Sequence, residues 1–364
     1  LVPMFVGIAR TFLEEKMGAD PLKISFWNLL DGADYVTFYI AMFILLAVAQ
    51  KLLLKKTAFA PLLIGLLLGL MPPILYFALG GAPNYRYLNS YIGVETLFFF
   101  SPDASPGETI ALWAAVIVFG AYIAISKRNA LFFVYGALAA ALALHINGGL
   151  IPIMAQAAAD ALGMRFLALF SVSRAALCLA AIAYLDSGFL KMIKYRITRI
   201  FLVLALCIFA AHLFSAPEKF VIPLIAANVL AYVIALMMNA EDDKVEDMEN
   251  LRESHESSVL AKISVVAMLA FLLAVLQALN MGWFYLPLLI IGLSLVYSRT
   301  IRLKKTFPFA YIIGGAFFSL VFISFSSHLP LVAPVLLRAG VCFAVFAVGC
   351  AIKDYKDENG DKKA

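Results

Sequence analysis

The sequence predicts an all-α, polytopic membrane protein, and three observations carry that reading. Of the 364 residues, 64% are hydrophobic and only 14% charged, with a mean hydropathy of +0.95. Soluble domains hold roughly 45–50% apolar and about 25% charged residues, so lipid is the solvent for most of this chain. The apolar residues fall in runs of the ~17–25 residues that a helix needs to cross a hydrocarbon core about 30 Å thick. No alternating barrel pattern appears, and open sheets are excluded in lipid because their edge N–H and C=O groups go unpaired.

About eleven transmembrane helices are expected, near 33–53, 58–80, 107–125, 129–146, 164–185, 200–215, 219–238, 260–279, 282–298, 307–327 and 330–351. Positive residues alternate along the connections. Those after the first, third and fifth runs carry Lys51/Lys55/Lys56, Lys127/Arg128 and Lys191/Lys194/Arg196/Arg199. Those after the ninth and eleventh carry Arg299/Arg302/Lys304/Lys305 and Lys353/Lys356/Lys362/Lys363, while those after the second, fourth, sixth, eighth and tenth offer only Arg86 and Lys219. The positive-inside rule makes the richer set cytoplasmic, which predicts a multi-pass protein of the cell membrane. The acidic stretch 239–259 then lies on the cytoplasmic side as well. Segment 1–32, with Glu14, Glu15 and Lys16, reads as amphipathic, as loop, or as the end of an earlier span.

The net charge of +5 is dispersed between apolar runs and makes no nucleic-acid patch. Cys178, Cys207, Cys342 and Cys350 lie in apolar stretches without CxxC spacing and read as small buried hydrophobes. The four histidines show no pairing at ligand spacing. Arg174 and Arg338 stand inside predicted spans, where an arginine is costly and marks function by default.

Chemistry concentrates in two acidic rows. Asn239, Asp243 and Asp247 are four residues apart, with Asn250 three further on; on a helix they share one face. Lys353, Asp354, Asp357 and Asp361 stand in KDYKDENGD, with the aspartates at i, i+3 and i+7. Rows of carboxylates on one membrane surface suit Mg²⁺, which binds through a few carboxylates plus substrate phosphates. Between them lies YSRTIRLKK, whose Arg302, Lys304 and Lys305 could hold phosphate oxygens. Acids with metal plus a basic clamp are what ionisation of a diphosphate ester requires. Asn228, eleven residues before Asn239 on nearly the same face, suggests a second amide lining a polar pocket. Tyr297 fits either a carbocation pocket or an interfacial aromatic belt. Arg196 and Arg199 fit phosphate contact or topological anchoring equally.

At these residues the chain, over about 187–364, resembles the UbiA superfamily of intramembrane prenyltransferases. That family carries an N-x₃-D-x₃-D signature, a Tyr-Ser…Leu-Lys segment and a second signature of the form K-D-x-x-D-x-x-G-D. This sequence has Asn239-x₃-Asp243-x₃-Asp247, Tyr297-Ser298…Leu303-Lys304 and Lys353-Asp354-x-x-Asp357-x-x-Gly360-Asp361, each in the connection the family would give it. Two departures are Ala240, where the family usually has an acid, and LRESHESS in place of an Arg-Pro-rich tract.

The resemblance implies a UbiA-like bundle in which Asp243, Asp247, Asp354, Asp357 and Asp361 hold Mg²⁺. It further implies that Asn239, Asn228, Tyr297, Lys304, Lys353 and Arg196 line the substrate site. A prenyl group would pass from a polyprenyl diphosphate to a lipid-soluble or membrane-surface acceptor, either an aromatic ring or the hydroxyl of a glycerol phosphate lipid. The family has nine helices and this chain supplies six, so about three more are expected beyond Ala364. The Leu1 start fits the same expectation of a fragment. Two other readings stay open: phosphoribosyl or glycosyl transfer to a polyprenyl phosphate, and a transporter or channel with an acidic mouth. Residues 1–186 form an N-terminal transmembrane region of unknown role. Its stretches GLLLGLMPPILYFALGG and MRFLALFSVSRAALCLAAIAYL resemble polytopic glycosyltransferases that use polyprenyl-phosphate sugars.

The topology is checked by single cysteines at Lys244, Thr300, Lys356 and Arg86. The first three should label from one side of the membrane and the fourth from the other. Opposite labelling at Lys244 and Thr300 would leave the acidic rows no common site.

Overall fold

In the computed structural model the described residues are 2–18, 33–79, 106–164, 166–242, 259–279, 286–296, 309–330 and 332–361. They form helices joined by short turns, with no strand among them. The chain divides into two compact units, Leu1–Leu162 with Phe166–Ser187, and Gly163–Arg165 with Gly188–Ala364.

The first unit holds α1 (Val2–Gly18), α2 (Ala33–Leu54), α3 (Phe59–Leu66), a 3₁₀ turn (Leu67–Leu70) and α4 (Met71–Leu79). These are followed by α5 (Pro106–Lys127), α6 (Leu131–His145), a π turn (Ile146–Leu150), α7 (Ile151–Leu162) and α8 (Phe166–Leu185). Along α2, every residue from Tyr39 to Ile44 is buried. A helix apolar all round packs on several sides, and α2 packs against α1, α6 and α8.

Prolines explain two interruptions in this unit. Pro73 has no N–H to offer the Gly69 carbonyl four residues back. The Tyr39 hydroxyl supplies that bond at 3.1 Å and itself accepts one from Arg10 Nη1 at 2.6 Å. A side chain at Gly69 would run into the Tyr39 ring. Pro152 would likewise collide with the Gly148 carbonyl in an unbroken α-helix. There the chain adopts the π turn, and α6 and α7 continue as one apolar helix of 32 residues, Leu131–Leu162. The sequence suggests a span at 129–146 and then a connection; the helix instead runs through.

The ends of α2, α5 and α8 lie together. Gln50 Nε2 donates to the Tyr122 hydroxyl at 2.6 Å. Lys51 Nζ donates to the carbonyls of Tyr184 and Leu185 at 2.8 and 3.1 Å, capping α8 with positive charge.

The second unit holds α9 (Ser187–Leu213), α10 (Glu218–Asp242), α11 (Val259–Leu279), α12 (Leu286–Leu295), α13 (Phe309–Ser324) and α14 (Ala333–Asp361). Its central helix is α10, buried continuously from Leu230 to Met238 and packed on α11 and α12. Chain order then continues in space, α12 against α13 and α13 against α14. Glycines set the last of these contacts. A Cβ on Gly315 would stand 2.7 Å from the Phe343 carbonyl oxygen, and one on Gly314 2.7 Å from Cys350 Sγ. Small residues of this kind let membrane helices approach closely. Above them Phe318 stacks on Phe346 with centroids 4.1 Å apart.

Among the described residues, 7 helices are long and apolar enough to cross a membrane. Four shorter apolar helices, Phe59–Leu75, Ser264–Leu276, Leu286–Leu295 and Tyr311–Ser324, coincide with the other four expected runs. The run expected at 330–351 is the first part of α14, which stays helical through the acidic motif to Asp361.

Gly315→Ala should lower the unfolding midpoint in detergent by the equivalent of about 1–3 kcal/mol, the usual range for overpacking. Gly340→Ala, on open helix surface with nothing within 4 Å of the new methyl, should be neutral or slightly stabilising. Equal effects would mean that the α13–α14 contact is not set by Gly315.

Candidate functional site

Toward one end of the second unit, α12 meets α10 and α14 meets α13. The Ser294 hydroxyl, near the end of α12, donates to the Ala235 carbonyl at 3.5 Å. That bond sets the residues just before Tyr297 beside the turn of α10 that precedes Asn239. Cys350, one turn before Asp354 on α14, lies against Gly314 near the start of α13. The Tyr232 phenol is within electrostatic reach of Arg196 and Arg199, in the middle of α9, and of Cys350. Its ring meets Phe317 edge-on at 5.4 Å. The opposite end of the unit is marked by Arg338 Nη1, which donates to the Leu213 carbonyl at 3.4 Å, and by Phe214 against Phe322.

The backbone of Asn239 lies in the last turn of α10, and those of Lys353, Asp354, Asp357 and Asp361 lie in the final turns of α14. Because α14 is helical there, Asp354, Asp357 and Asp361 occupy i, i+3 and i+7 on one face and span about 10 Å of helix. Oxygen donors in that register are the set a hard divalent cation takes. Placement of these five side chains, and the whole of Asp243, Asp247, Tyr297 and Lys304, lies outside the described residues. Among the described residues no three His, Cys, Asp or Glu side chains converge on a metal position. Arg196 is half-buried and Arg199 exposed.

Asn228 is not part of that end. Eleven residues separate it from Asn239, about 16 Å along the helix. It is fully buried, and Nδ2 donates to the Leu224 carbonyl at 2.8 Å and to Ser324 Oγ on α13 at 2.9 Å. Its Oδ1 has no hydrogen-bond partner among the described residues. Tyr232, whose phenol faces Arg196 and Arg199, was not singled out by sequence reading. The available signal was spacing, since Tyr232 precedes Asn239 by two turns on the same face.

The two intramembrane arginines differ. Arg338 is exposed and caps α9, with its guanidinium 5.8 Å from the Phe214 centroid. Arg174 in the first unit is buried. Nη1 donates to Thr37 Oγ1 at 2.9 Å, and the guanidinium lies over the Phe170 and Phe38 rings at 3.9 and 5.8 Å. Thr37 and Phe38 belong to α2, so this charge is built into the packing of α8 on the central helix. Asn147 of the π turn joins the same place, donating to the Phe38 carbonyl at 3.0 Å.

Comparison with family models, with characterised proteins and with solved structures returns no match to this chain.

The Asn228–Ser324 bond should appear in a double-mutant cycle. Asn228→Ala and Ser324→Ala are expected to couple by about 0.6 kcal/mol in detergent unfolding, the average for interhelical bonds in membranes. Strict additivity would mean that the bond contributes nothing.

Proposed function

We propose that residues 187–364, which make up nearly all of the second unit, catalyse transfer of a prenyl group from a polyprenyl diphosphate to an acceptor within the membrane, with Mg²⁺ as cofactor. The observation that supports this most is the unbroken helix α14. One element carries an apolar span, Ala333–Ile352, and then the row Lys353, Asp354, Asp357 and Asp361 in helical register. A lipid-embedded substrate with a charged head needs that juxtaposition: hydrocarbon for its tail and polar ligands for its diphosphate. The end of α12 is tied to the last turns of α10, and the middle of α9 lies within electrostatic reach of Tyr232 on α10, which supports drawing Arg196, Asn239 and the segment with Tyr297 and Lys304 into one site.

In this reading Asp243 and Asp247 from the first row, and Asp354, Asp357 and Asp361 from the second, hold the metal. Bound by these residues, Mg²⁺ would supply positive charge to neutralise the diphosphate leaving group. Lys304, Lys353 and Arg196 bind phosphate oxygens through charge-assisted hydrogen bonds, and Asn239 orients the head group. Tyr297 turns an aromatic face to the positive charge left on carbon. A dry surround keeps water from that carbon until the acceptor, an aromatic ring or a lipid hydroxyl, supplies the electron pair for the new bond and gives up its proton to the released diphosphate. The remaining four apolar helices complete about eleven spans, and the acidic rows lie on the cytoplasmic face of the cell membrane.

The test incubates the complete protein with labelled geranylgeranyl diphosphate and candidate acceptors, with and without Mg²⁺. Asp243→Ala, Asp247→Ala, Asp354→Ala and Asp357→Ala should each abolish product, as should chelation. The losses should not add, because these residues serve one metal–diphosphate unit. Glu249→Ala, outside the two rows, should be mild. Near-normal rates in two of the four aspartate variants would defeat the assignment.

A further inference from the structure

Lys55, Lys56, Lys127 and Arg128 are exposed on two interhelical turns of the first unit, α2 to α3 and α5 to α6. Both turns are tightly defined. Lys55 and Arg128 adopt left-handed φ values of 61° and 53°, and Asn129 Oδ1 accepts the Leu131 N–H at 2.9 Å to start α6. One buried side chain ties the turns together. Gln50 accepts the Ala58 N–H through Oε1 at 2.7 Å, and its Nε2 donates to the Ala58 carbonyl at 3.3 Å and to the Tyr122 hydroxyl at 2.6 Å. The first turn is thereby fixed to α5 about 9 Å along the helix from Arg128.

None of the four cations forms an ion pair among the described residues; Lys127 lies over the Phe132 ring at 5.4 Å. Lys51 shares this end, but its ammonium is committed to the α8 carbonyls. Directly after Leu185 in sequence comes an acid, Asp186. The helices flanking the turns include Tyr35–Leu54, Thr109–Lys127 and Leu131–Leu162, each long and apolar enough to cross a membrane. Their ends therefore stand where hydrocarbon gives way to headgroups. At the same level Leu52, Ile125 and Leu131 are 53%, 77% and 58% exposed, so the cations border apolar surface rather than a polar basin.

We propose that these two turns form one cationic surface that binds the headgroups of anionic phospholipids in the adjoining leaflet. Juxtamembrane lysines and arginines attract such lipids; the fold adds a fixed spacing between two pairs of them. Arg128 can offer a phosphate paired donors while the lysines act as point charges. The exposed leucines and isoleucine receive the acyl chains, which a soluble anion lacks.

The experiment uses the full chain in phosphatidylcholine vesicles containing a minor fraction of phosphatidylglycerol, with a fluorophore on Thr57→Cys in the first turn. Quenching by spin-labelled phosphatidylglycerol should exceed quenching by identically labelled phosphatidylcholine, and high salt should reduce the difference. K55Q/K56Q should lower the preference at least about fivefold, and K127Q/R128Q, on the other turn, should lower it comparably. Equal quenching by both lipids in the unaltered protein overturns the proposal. So does a preference insensitive to K127Q/R128Q, which would deny a shared surface. Loss of the preference on adding inorganic phosphate at constant ionic strength would identify a soluble-anion site and overturn it as well.

Discussion

A backbone N–H or C=O that loses its partner in hydrocarbon has no water to turn to, at a cost of several kcal/mol. Helices answer that constraint wherever the chain is regular. Where it is not, polar side chains take over the missing bonds. Tyr39 serves the carbonyl that Pro73 orphans; Gln50 serves both groups of Ala58; Lys51 and Arg338 serve the last carbonyls of α8 and α9. Other described polar residues, Ser171, Ser319, Ser324 and Ser326 among them, also donate to backbone carbonyls. In this chain buried polarity mainly maintains the backbone.

Asn147 and Asn228 depart from that economy. Each is fully buried and donates to a carbonyl, yet each leaves Oδ1 without a partner among the described residues. Both sit where the central helix of a unit meets a neighbour: Asn147 against Phe38 of α2, and Asn228 of α10 against Ser324. The donor half of the amide fixes register between helices, and the acceptor half is the cost of that specificity. Arg174 follows a related logic, with its charge spread against aromatic faces next to the same α2 residues.

The helices were legible because hydrocarbon thickness imposes length on an apolar run. The ends of the runs in the second unit were legible in outline as well, because acidic and basic residues mark them. The continuity of α14 through KDYKDENGD could be anticipated from its i, i+3, i+7 spacing. Other features required three-dimensional partners. Nothing local to Tyr232 identifies it, since its relation to Arg196, Arg199 and Cys350 spans three helices. The same holds for the partner of Asn228: its face is shared with Asn239, but it bonds to Ser324, 96 residues away. The π turn escaped because apolar periodicity counts residues, whereas the break depends on which carbonyl Pro152 fails to serve.

That π turn also sets the phase of everything after it. Inward-facing positions on α6 are Gly136, Ala140, Ala143 and Leu144, and Asn147 follows in the turn; on α7 they become Ile151, Pro152, Ala155 and Ala159. An uninterrupted helix would drift toward Met154 and Ala158 as its inner residues. The surplus residue absorbed at Ile146–Leu150 instead keeps Met154 outside, 60% exposed. Helical rotation is about 100° per residue, so excising one residue from INGGL would leave composition and hydropathy almost unchanged. It would nonetheless turn the twelve residues of α7 by roughly a quarter-circle. A chain that looks uniformly greasy is therefore indexed like a lead screw, and at Gly148 and Gly149 a length change of one is more disruptive than most changes of residue type.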